Sequence, residues 1–119
     1  MRSVIDKYSG LPFKYGLDCC QFASEFIEAQ TGIDPAPGVD YKSKAEADKL
    51  INKYGDLEGL MIHFLGEPYD GCKNGDVCIM DNNIGDIVAA VIYRDRIVAR
   101  VPGGLMDYDI DRAIKVWCI

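Results

Sequence analysis

The chain has 119 residues, 49% of them hydrophobic and 27% charged, with a formal net charge of −6. That length makes one domain over residues 1–119, able to bury a working core without metal or disulfide staples. The acidic balance and the lack of any basic stripe exclude a phosphate-binding surface, so no nucleic-acid partner is expected. No stretch approaches the ~20 apolar residues that cross a bilayer, so no membrane partner is expected either.

In chain order, residues 1–14 hold a short amphipathic piece, Val4, Ile5 and Tyr8, ending at Ser9-Gly10-Leu11-Pro12. The stretch Tyr15–Gly32 follows. Its residues Cys19, Phe22, Ala23, Phe26 and Ile27 fall at i, i+3, i+4, i+7 and i+8, one face of a helix. Asp18 is its predicted N-cap, Gly16 gives a flexible approach, and Gly32 followed by Pro35 stops it. Ile33–Tyr41, with two prolines and a glycine, is irregular. Ser43-Lys-Ala-Glu46 is a capping-box pattern opening a helix with Ala47, Leu50, Ile51 and Tyr54 on one side, and Gly55 stops it. Asp56 caps a further helix whose stripe is Leu57, Leu60, Met61, Phe64 and Leu65, ending at Gly66.

Gly75–Asp81 then forms a short apolar run, and Asp81–Asp86 is rich in turn residues. Ile87–Tyr93 is unbroken and β-branched, as a strand buried on both faces is. Arg94-Asp-Arg96 turns into Ile97–Val101, Pro102-Gly-Gly104 breaks that strand, and Ala113–Ile119 is the last. Helices first and an antiparallel meander second is an α+β arrangement with a helix packed on one sheet face.

Cys19 is the first candidate for chemistry. It falls in the first turn of the central helix, where unpaired N–H groups and the helix dipole favour a thiolate, as a nucleophile requires. The same residue lies on the core-facing side, so inert packing is the competing reading. Cys20 is a small filler, and adjacent cysteines rarely meet disulfide geometry. The five cysteines (Cys19, Cys20, Cys72, Cys78, Cys118) are odd in number and irregularly spaced, and the first fifteen residues carry no signal-peptide run. They read as reduced thiols of a chain made in a cytoplasm. With no C-x-x-C pair, neither a metal nor a cofactor is expected; a site joining Cys19, Cys72 and Cys78 is the alternative.

A cysteine opening a central helix, followed by a meander that begins Gly-Asp, resembles the NlpC-type cell-wall peptidases, a compact papain-like group. Asp18-Cys19-Cys20 matches their Asp-Cys-Ser helix start, and Gly75-Asp76 their first core strand. A closer likeness is to short phage tail-module proteins of that superfamily, carried by Asp18-Cys19-Cys20, Gly32-Ile-Asp-Pro35, Tyr41, Gly75-Asp76-Val77, Gly104-Leu105 and Trp117. The likeness spans residues 15–119. It implies a papain-like, NlpC-like fold with Cys19 at the nucleophile position. It also implies a place in the phage tail tip, with other tail proteins, and in a catalytic version peptidoglycan, as partners.

The chain departs from that pattern where a second-strand histidine is due, because Ile87–Tyr93 contains none. A thiolate without a base loses much of its acyl-transfer ability, and its leaving group lacks a general acid. The single histidine, His63, falls on the last helix beside the apolar stripe. As a non-standard base it would have to cross to Cys19; the other reading is a partly exposed residue with no special role. The functional expectation is therefore a tail-assembly protein on a degenerate peptidase fold. The alternative is an active cysteine hydrolase of peptidoglycan stem peptides, using Cys19 and His63 or an unidentified base. Asp76 is expected to bond backbone groups where its strand starts. Trp117 and Tyr93 are expected in the core or at its rim. Asp107, Asp109 and Asp111 read as a solvated face, not a calcium loop.

Overall fold

In the computed structural model, which describes residues 2–10, 19–81, 86–101 and 104–119, the apolar spacings become four helices and five strands. The Asp18 cap with Gly16, the turn over 82–85 and Pro102-Gly103 lie outside the described residues. Helix α1 (Arg2–Ser9) buries Val4 and Tyr8, and α2 (Cys19–Thr31) buries Phe22, Ala23, Phe26 and Ile27, the face its spacing predicts. Helices α3 (Lys44–Lys53) and α4 (Leu57–Leu65) follow. Ser43 caps α3 by accepting from the Glu46 N–H at 3.2 Å. The return bond of the expected capping box goes elsewhere: Glu46 accepts from the Lys42 N–H, at 2.7 Å, one residue ahead of the cap. Asp56 caps α4 through the Gly59 N–H at 2.8 Å. A Cβ on Gly59 would lie 2.0 Å from the Tyr54 carbonyl oxygen, so the α3–α4 corner needs glycine there. Among the described residues no helix is long and apolar enough to cross a membrane.

The strands are β1 (Val77–Asp81), β2 (Ile87–Tyr93), β3 (Arg96–Val101), β4 (Gly104–Tyr108) and β5 (Ala113–Trp117), all paired antiparallel in the order β4-β3-β2-β1-β5. Arg94 and Asp95 both take positive φ, 53° and 63°, the backbone of a two-residue hairpin turn that follows the twist of its strands. Two features differ from the expected meander. Gly104–Tyr108 is a strand, although Leu-Met-Asp-Tyr has no β-branched residue, because the free edge of β3 supplies its ladder. The last strand does not extend the meander; it crosses to the other edge and pairs with β1.

That crossing shapes the sheet. In a flat five-stranded sheet the end of β4 and the start of β5 would be diagonal corners, about 19 Å apart across the strands and about 13 Å along them. Five residue steps from Tyr108 to Ala113 reach at most about 16–18 Å, and the link includes a 3-10 turn, Ile110–Arg112, that shortens it further. The sheet therefore curls until those corners meet. Inside the curl lie Cys78, Met80, Ala90, Ile92, Ile97, Ala99 and Val116, covered in part by Ile110 and Tyr108. The outer face carries Val77, Ile79, Ala89, Val91 and Trp117 against the helices, with α2 packed across β2. Strand β2 is thus buried on both faces, as its composition implies. Trp117 is 1% exposed and donates its indole N–H to the Gly66 carbonyl at 2.8 Å, joining β5 to the end of α4.

The start of β1 is pinned by a carboxylate. Asp76 is fully buried and accepts from Lys73 Nζ at 2.5 Å, from the Lys73 and Ile119 N–H groups at 3.1 Å each, and from the Tyr69 hydroxyl. Burial alone would raise its pKa; the donors outweigh burial and hold it below the usual carboxylate range. The Tyr69 hydroxyl, through that hydrogen bond, is pushed up to about 12. Gly75, at φ 99°, lets Gln30 reach its carbonyl at 2.7 Å; a Cβ there would meet the Gln30 side chain at 2.3 Å. Asp76→Asn is expected to lose about 2–3 kcal/mol, because buried donors are left without their ionised acceptor. Asp76 stabilises the fold above about pH 4, and that contribution drains away as pH falls through its lowered folded value. Urea unfolding followed from about pH 7 to about pH 2 should therefore show a smaller acid loss in Asp76→Asn than in the parent.

Candidate functional site

Cys19 is the first residue of α2 and is half-buried against the outer-face core, with Cys20 beside it. It opens onto a cleft of about 460 Å³. The α2 side of this cleft is Cys19, Cys20, Ala23 and Ile27; α4 supplies Leu60, Met61 and Phe64; the sheet supplies Val88 and Arg100. Asp34, Tyr41 and Asp48, from the segment after α2 and from α3, complete it. The walls are mostly apolar with a few polar groups converging, the usual character of a binding site. The fold thus seats the sulfur at a helix start beside the β2–β3 ribbon.

The facing strand offers no imidazole. Ala90 pairs with Ala99 and Val91 with Val98; one further step in that register sets Ala89 opposite Arg100 on the α2 side. Arg100 is 2% exposed. Its guanidinium donates to the Tyr8 carbonyl at 2.8 Å and lies 5.4 Å from the centre of the Tyr8 ring. The Tyr8 hydroxyl in turn donates to Glu25, which also pairs with Lys7 at 2.6 Å. Arg100 therefore ties β3 to α1 and α2 while forming part of the cleft wall. Motif spacing does not single it out; its one mark in the sequence is an arginine inside the otherwise apolar run Ile97–Val101.

His63 sits elsewhere. It is exposed in the last turn of α4, stacked on Tyr54 at 4.4 Å and edge-on to Phe64 at 4.8 Å, and is not among the side chains lining the cleft. Cys78 is inside the curled sheet, where burial pushes its thiol up to about 12, and burial also raises Cys72. Cys78 is a weak nucleophile at neutral pH for that reason. Among the described residues no three His, Cys, Asp or Glu side chains gather as a metal site. Of the acidic trio, Asp107 and Asp109 are exposed and share Arg96, at 3.0 and 2.6 Å. Asp76, buried and saturated with donors, pins the chain and does not reach into the cleft.

The chain belongs to the family described as a domain of unknown function, DUF6950, whose model matches residues 1–119. Neither the curated proteins nor the solved structures give a match.

Because His63 stands apart from the sulfur, His63→Ala should leave the rate of Cys19 alkylation by iodoacetamide, and its pH profile, unchanged. It should cost no more than about 1 kcal/mol, for the lost ring stack. A changed alkylation profile measured by peptide mapping would place the imidazole in communication with Cys19.

Proposed function

We propose that this chain is a structural component of a phage tail tip, built on a degenerate NlpC-like peptidase fold that has lost its catalytic histidine. The resemblance carried by Asp18-Cys19-Cys20, Gly75-Asp76-Val77 and Trp117 supports the kinship. The observation that carries the non-catalytic reading is on β2: the residues it turns toward α2 are Ala89 and Val91, while His63 lies outside the cleft that Cys19 lines. No imidazole is thus placed to take the proton of that thiol or to protonate a leaving amine. The mostly apolar cleft suits holding a segment of another tail protein rather than cutting one.

One observation favours a second reading, an active hydrolase of peptidoglycan stem peptides. Cys19 occupies the first turn of α2 at the edge of a cleft, the place where backbone N–H groups both stabilise a thiolate and hold an oxyanion. On the tail-component reading, purified muropeptides remain intact, and particles assembled with Cys19→Ser form and infect as the parent does. Muropeptide cleavage abolished by Cys19→Ser would decide in favour of the hydrolase. The alkylation profile separates the two independently. An apparent Cys19 pKa near the ordinary thiol value of about 8.5 goes with packing, and one well below it with a nucleophile.

A further inference from the structure

We propose that a hollow between the start of α4 and the edge strand β5 is a docking socket for one apolar side chain flanked by Lys or Arg on a partner protein. The inference rests on the reading of the chain as an assembly component and names the surface it would use. The hollow measures about 150 Å³ and is lined by Asp56, Leu57, Glu58, Ile79, Ile87 and Ile114. That is the scale of cavity, about 150 Å³, that takes up a single benzene ring.

Its walls are unusual for a surface. Five large hydrophobic residues are exposed among those described, and two of them, Ile87 at 43% and Ile114 at 48%, stand on this one hollow. Its other apolar residues, Ile79 and Leu57, are buried at 2% and 7%. Ile114 is there because β5 is bulged: Ile79 pairs with Lys115 but Met80 with Ala113, so Ile114 is the extra residue without a ladder partner. A bulge re-aims a side chain and ends regular pairing at a sheet edge. An exposed apolar cluster with a polar rim marks an interaction site more often than isolated exposed residues do.

Charge selects the occupant. Among the described residues the charged groups lining the hollow, Asp56 and Glu58, are acidic, and they belong to the first turn of α4 or its cap. Lys115, next to Ile114 on β5, is not among the walls. The chain as a whole carries −6. A partner presenting Leu, Ile or Met between basic residues fills the apolar interior and meets the acidic rim, whereas an acidic flank meets repulsion. Leu57 and Ile87 also line the Cys19 cleft, so the hollow and the cleft share walls.

The test uses the full chain, isotope-labelled for NMR, titrated with three blocked tripeptides: Arg-Leu-Arg, Glu-Leu-Glu and Arg-Gly-Arg. Arg-Leu-Arg should shift the amides of Leu57, Glu58, Ile79, Ile87 and Ile114 saturably, with the other two binding at least about tenfold more weakly. Ile114→Asp should remove the response. Glu58→Lys, at a half-buried position in the first turn of α4, should move the preference toward Glu-Leu-Glu while the amide spectrum away from the hollow stays that of the folded parent. Equal response to Arg-Gly-Arg reduces the site to bare charge and overturns the proposal. So does no response at these amides, or shifts there that depend on protein concentration without peptide, which mean a second copy. Because no phage particle is involved, a negative result here leaves the Cys19→Ser assembly experiment to judge the tail-component reading on its own.

Discussion

The connection from β4 to β5 governs this fold. Four residues, Asp109–Arg112, must carry the chain from one edge of a five-stranded sheet to the other, and a flat sheet is too wide for them. Curling is the geometric answer. It gives the sheet an inside, packed with small and medium side chains such as Cys78, Ala90 and Ala99, and an outside on which the helices sit. It also closes β5, with its bulge at Ile114, against β1, which puts Trp117 within reach of the end of α4.

Two buried charged groups fasten this curled sheet to the rest of the chain. Asp76 gathers Tyr69, Lys73 and Ile119 at the start of β1, and Arg100 holds the Tyr8 carbonyl and ring at the far end of β3. Such groups are costly to desolvate; Asp76 survives burial because four hydrogen bonds converge on it, and Arg100 donates to the Tyr8 carbonyl while lying over the Tyr8 ring. Their consequence is positional. With α1 tied to β3 and the last turn of α2 tied through Gln30 to Gly75, α2 lies against the sheet, and its first residue, Cys19, lines the cleft.

The cleft is lined by Cys19 at the start of α2, and His63 is not among its walls. A thiol at a helix start is one half of an acyl-transfer device; the other half is a base, and the side chains that β2 turns toward α2 are Ala89 and Val91. The tail-component proposal stands on the motif resemblance together with that missing imidazole. The docking proposal stands on an apolar cleft that shares Ile87 with an acid-rimmed hollow.

Local chemistry was legible in the residues themselves. Helical periodicity marked the buried faces of α2 and α4, glycine and Asp or Ser marked helix ends, and the unbroken apolar run of β2 announced burial on both sides. The cysteine at the helix start and the absence of a strand histidine could also be read directly, because both depend on one residue at one place. What tertiary structure decided was everything that needs two distant segments to meet. Gly104–Tyr108 became a strand because β3 offered an edge, not because its residues favour one. Arg100 found Tyr8 and Asp76 found Ile119 through contacts between residues that stand 92 and 43 positions apart, which no local pattern encodes. His63 stacks on Tyr54 and lies outside the cleft that Cys19 lines. Propensity and spacing act over a few residues; ladder pairing, the curl of the sheet and the walls of a cleft are set by which surfaces the whole chain must bury together.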